Sequence, residues 1–125
     1  MKILIFILSP TANGNCEVLI TLKPDGSTFI PAVEVIEDPQ LEALKSAKTI
    51  LNVENVELLS YLGFHESAHA YILRTIRAQI EAEKLSKLNY KFIPLDSCLG
   101  DKVQSEAKSF WDKLMGYVQE YMIWD

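Results

Sequence analysis

Between Glu42 and Glu54 the chain has no acidic residue, so the stretch ALKSAKTILNV offers no carboxylate. Hard divalent cations such as Mg²⁺ take oxygen ligands, carboxylates above all, and this segment has none to give. Cations are also in the minority: 12 Lys and Arg against 17 Asp and Glu leave a formal charge of −5. Surfaces that track nucleic-acid phosphates need clustered Lys and Arg, so the expected partners are a small molecule or a protein, not nucleic acid. Cys16 and Cys98 form neither a CxxC pair nor a dense framework. That usage suits a reducing compartment, and a cytoplasmic protein is the expectation. No apolar run approaches the roughly 20 residues of a membrane span, so no membrane partner is expected. The opening MKILIFILSP has a short apolar run and no small-residue cleavage site after it, which reads as a buried first strand and not as an export signal.

With 125 residues, 49% of them apolar, one domain can bury its own core without disulfides or structural metal. Ile3 to Leu8 is continuous and β-rich, and the turn-forming cluster PTANGN follows it. Residues 17–23 begin the next strand. Pro24-Asp25-Gly26 closes a hairpin into residues 28–35, because Pro presets φ and Gly accepts a positive one. Asp38 followed by Pro39 predicts a helix start at the head of 39–51, with Leu41, Leu44, Ala47 and Leu51 on its core face. Residues 53–62 read as a strand punctuated by Gly63, and 90–95 as another. From Asp101 to residue 122, Val103, Ala107, Phe110, Leu114, Val118 and Tyr121 recur at helical spacing, widened by Trp111 and Met115.

His65, Glu66 and His69 spell His-Glu-x-x-His. On a helix the imidazoles would sit one turn apart, roughly 6 Å along the axis, where both reach one Zn²⁺ while Glu66 acts as general base. Phe64, Ala68, Ile72, Ile76 and Ile80 keep a helical pattern that allows this, with Glu81, Glu83 or Asp101 available as a third ligand. On a strand four residues span about 13 Å, and one zinc cannot take both histidines. The alternation of His65, Ser67, His69 and Tyr71 against Glu66, Ala68, Ala70 and Ile72 favours one strand, with both histidines on one face.

The order of these elements resembles the Nudix hydrolases. PDGSTFIPAVEV is similar to the family's hairpin and Leu-Pro-Gly-Gly-x-Val element, with Ile30, Pro31, Glu34 and Val35 in matching places. The segment EALKSAKTIL resembles the start of the family's catalytic helix, and YKFIPLDS a late strand and its turn. The resemblance implies an α/β/α sandwich with a mixed β-sheet as a single domain over 1–125, and a loop and helix whose glutamates hold divalent metal against a diphosphate. This sequence departs from that pattern. Ala32 and Val33 stand at the Gly-Gly positions, where a Cβ resists the tight loop. The Arg-Glu and Glu-Glu pairs fall on Ser46, Ala47, Ile50 and Leu51 in one register, and on Ala47, Lys48, Leu51 and Asn52 in the other. Neither register supplies a carboxylate.

A Nudix-like domain that has lost its metal-binding glutamates is therefore expected, binding a nucleotide-like ligand or a protein without diphosphate hydrolysis. No cofactor is expected. The alternatives are a displaced acidic site using Mg or Mn, with Glu34 and Glu66 as catalytic candidates near Glu37, Asp38 and Glu42, and a small zinc peptidase using His65 and His69. Cys98 reads as a small core residue, and Arg74 and Arg77 as a solvated face paired with Glu81 and Glu83. Met122, Ile123 and Trp124 at the end of the last helix suggest a homodimer through that helix.

Overall fold

A computed structural model of the chain describes residues 1–11, 15–75, 82–96 and 99–121. Among the described residues, seven strands form one mixed sheet. They are β1 (Lys2–Pro10), β2 (Cys16–Leu22), β3 (Thr28–Phe29), β4 (Ala32–Glu34), β5 (Val56–His65), β6 (Ala68–Thr75) and β7 (Tyr90–Pro94). Helix α1 (Pro39–Leu51) covers one face, α3 (Ser105–Tyr121) the other, and the short α2 (Ala82–Lys87) precedes β7. This is the expected α/β/α arrangement.

The central strand β1 explains why the chain needs both layers. Ile3, Ile5 and Ile7 enter the α1-side core, while Leu4, Phe6 and Leu8 enter the α3-side core. All six are completely buried, as the unbroken apolar run requires of a strand covered on both faces. On one flank β1 pairs in parallel with β6, from Lys2↔Ala68 to Leu8↔Arg74. On its other flank it pairs with β2 only through Leu8–Pro10, and with β4 through Lys2–Leu4. The 28–35 segment is thus two short strands, not one: β3 pairs with β2, the chain breaks at Ile30–Pro31, and β4 crosses to β1. It fills the gap where β1 and β2 diverge. Gln104 ties the break down by accepting the Ile30 N–H at 2.8 Å and donating to the Ile30 carbonyl at 2.7 Å.

Several boundaries differ from expectation. The last helix begins at Ser105, after a 3₁₀ turn over Leu99–Asp101. Its stripe is buried from Ala107 to Val118, but Tyr121 is exposed. In α1 the buried residues are Ala43, Ala47 and Leu51, while Leu41 is exposed. Small alanines let the helix lie close to the sheet, a packing preference that counting large apolar residues does not reveal. Strand β5 starts at Val56 and passes through Gly63, whose φ of 120° accompanies a register shift against β6. A bulge, not a chain stop, accounts for that glycine.

Candidate functional site

The loop 35–38 and helix α1 stand where the resemblance places catalytic carboxylates. Asp38 caps the helix by accepting the Leu41 N–H at 3.2 Å, and Pro39 follows at the first helical position. Of the positions matching the missing glutamates, Ala47 and Leu51 are buried against the sheet, and Asn52 ends the helix in a left-handed conformation. A carboxylate at 47 or 51 would point into the apolar core.

A cleft of about 370 Å³ beside this loop is lined by Glu34, Glu37, Asp38 and Glu42 together with Leu41 and Lys45. Two of its acids already have partners. Glu34 lies 3.4 Å from the N-terminal ammonium with its side chain 78% exposed, and Asp38 is spent on its cap. Among the described residues no group of three His, Cys, Asp or Glu is placed to hold an ion. Mg²⁺ and Mn²⁺ demand several converging oxygens.

The His-Glu-x-x-His segment forms neither the helix nor the single strand expected of it. β5 ends at His65, Glu66 and Ser67 turn the chain with φ of 52° and 64°, and β6 begins at Ala68. Two successive positive φ values are the mark of a tight hairpin turn that follows the strand twist. His65 then pairs with Ala68, and His69 with Phe64. Cross-strand partners share a face and neighbours alternate, so the two histidines lie on opposite faces of the hairpin, not on one. Their surroundings agree: His65 sits edge-on to Phe110 of α3, whereas His69 contacts Tyr61 and Phe64. One zinc cannot join them. Glu66 is 3.7 Å from His65 at the exposed turn. Glu34 belongs to the same cross-sheet row through Lys2 and Ala68, three strand spacings or about 14 Å from His65.

The α1-side face of the hairpin carries a cluster of rings. Tyr61 lies 5.0 Å from Tyr71 and 5.8 Å from His69, and Phe64 lies 4.7 Å from His69, measured between ring centroids. The Tyr61 hydroxyl and His69 Nδ1 share a hydrogen bond of 2.8 Å. Tyr71 is buried, and burial, then Tyr61, then Asp38 push its phenol above the ordinary value. Tyr71 belongs to the same buried cluster as Val35 and Ala43, on the α1 side of the sheet. Tyr61 and Phe64 keep 48% and 59% of their surface exposed. Sequence reasoning missed this group because Glu-Ser is not a typical hairpin turn; once the turn is seen, the register brings these rings together.

Arg74 pairs with Glu57 across β5 and β6 at 2.6 Å. Arg77, Glu81, Cys98, Met122, Ile123 and Trp124 lie outside the described residues. Glu83 and Asp101 are exposed on α2 and the 3₁₀ turn. Among the described residues no helix is long and apolar enough to cross a membrane.

No family model matches the sequence, and no curated protein matches it. Solved structures do match its fold. A mutT/nudix family protein from Listeria innocua is 10% identical with a TM-score of 0.75, over 99% of this chain and 96% of that one. The Nudix hydrolase RenU from M. smegmatis is 13% identical with a TM-score of 0.68, over 97% and 87%. The C-terminal domain of mouse MUTYH, in complex with human PCNA, is 15% identical with a TM-score of 0.63, over 93% and 87%. The chain has the Nudix fold, and at these identities the likeness reaches the fold alone.

Proposed function

We propose that this Nudix-fold domain binds a nucleotide-like ligand or a protein and does not hydrolyse diphosphates with metal at the fold's loop and helix. The observation that carries this reading is α1 itself: no carboxylate between Glu42 and Glu54, and alanine and leucine buried where ligands would be needed. Without converging oxygens there is neither a metal nor the charge stabilisation a diphosphate transition state requires. The ring tier supports the ligand half of the reading. A planar base stacks on the exposed face of Tyr61 or Phe64, with the His69 edge beside it for hydrogen bonding.

A panel of nucleoside diphosphate derivatives assayed with Mg²⁺ and Mn²⁺ is expected to give no metal-dependent turnover. Robust turnover lost in Glu34→Gln or Glu66→Gln would establish a displaced acidic site and overturn the non-catalytic reading. In a direct binding titration Tyr61→Ala is expected to weaken a nucleotide by about 1–3 kcal/mol. The protein-binding alternative is favoured by the end of α3, where the tilted rings of Tyr117 and Tyr121 lie 4.8 Å apart and Tyr121 is 56% exposed. The MUTYH domain, seen with a protein partner, supports the same alternative. Light scattering of wild type and Tyr121→Glu tests whether that partner is a second copy.

A further inference from the structure

We propose that the cleft between the C-terminal half of α1 and α2 binds a small amphipathic carboxylate, its apolar body on Ile50, Leu85 and Leu88 and its head group at Lys87 and Lys84. This site lies apart from the ring tier and uses none of its residues. The cleft measures about 390 Å³, near the lower end for small-ligand sites, which suits one short amphiphile better than a dinucleotide. Leu51 and Leu85 in its lining are buried, while Leu88 stays 61% exposed. A ligand that covered Leu88 would remove a large apolar side chain from water.

Charge selects the head group. The molecule is net acidic, yet among the described residues the cleft's lining contains two lysines and no carboxylate. Lys84 already has an interaction within the chain, whereas Lys87 has no ion pair with a described residue, so Lys87 is the main partner. The C-terminus of α1 opposes an anion with roughly half a negative charge. That opposition is reduced because the Lys48 carbonyl already accepts both the Asn52 and Val53 N–H groups. One full ammonium charge outweighs the remainder, and the Asn52 amide adds a donor at the rim.

Octanoate, octylamine and octanol are the probes, titrated into ¹⁵N-labelled full-length protein below their aggregation range. Octanoate is expected to give saturable amide shifts confined to residues 49–52 and 84–88. Octylamine is expected to bind at least about tenfold more weakly, with octanol between them. Leu88→Asp and Lys87→Glu should each weaken octanoate by about tenfold or more while leaving the thermal midpoint within the usual range of surface changes. The proposal is overturned by no saturable shift, by shifts mapping elsewhere, by octylamine binding as tightly, or by either variant binding octanoate like wild type.

Discussion

Asp38 holds the start of α1 by accepting the Leu41 N–H, and Pro39 beside it has no N–H to leave unpaired. Replacing Asp38 by Ala is expected to cost about 1 kcal/mol in a urea titration, the typical worth of an N-cap. An unchanged midpoint would mean that water or another group caps the helix equally well. Cys16, a free thiol in β2, behaves differently: burial raises its pKa from 9.0 to about 11, with a smaller push from Glu17 and opposition from a backbone hydrogen bond at Ser9. Because the folded state disfavours the thiolate, its contribution is complete below pH 9.0 and is lost as pH rises through about 11. Stability measured across that window should fall more in wild type than in Cys16→Ala. Alkylation of Cys16 at pH 8, followed by mass spectrometry, should be slow in the native protein and fast in denaturant.

The elements are joined by contacts that composition does not announce. Gly100, in the 3₁₀ turn before α3, lies so close to Trp111 that a Cβ would fall 2.5 Å from its Cδ1. Trp111 cannot retreat freely, since it is buried and its indole N–H donates to the Asp96 carbonyl at 3.0 Å. Gly100→Ala is therefore expected to destabilise by about 1–3 kcal/mol and to alter the near-ultraviolet signal of the indole. Retention of both would show that the turn shifts without cost. Gln104 plays a comparable joining role at Ile30. A lone glutamine between two apolar stripes gives no hint in sequence that it completes a sheet interrupted 74 residues earlier. The Asp38 cap was legible because its chemistry is local. The Glu66–Ser67 turn was not, because its positive φ values are imposed by the pairing of β5 with β6 and not by the residues' own preference.

At the scale of the molecule, β1 couples both cores, since alternate residues of one strand enter each. Phe6 is completely buried and meets Trp111 edge-to-face at 6.2 Å. Phe6→Ala should cost about 3–5 kcal/mol. Fluorescence of the indole on the α3 side and tyrosine signals from the α1 side should still lose structure together. Two separated transitions would show that the layers fold independently and that the shared strand does not bind them into one cooperative unit.

Local chemistry in the sequence determined the β-rich opening, the Pro-Asp-Gly turn, the capped start of α1 and the helical stripe of α3, and the sequence alone shows that α1 has no carboxylate after Glu42. Each depends on neighbours within a few residues, and so each could be read without coordinates. Tertiary structure alone decided that His65 and His69 face opposite ways, that Glu34 and Glu66 stand apart, that Tyr61 and Phe64 meet His69, and that Gln104 bridges Ile30. Those outcomes depend on strand register. A turn of two residues settles that register for every side chain beyond it, and the energy that selects it comes from the two cores packed on either face of the sheet.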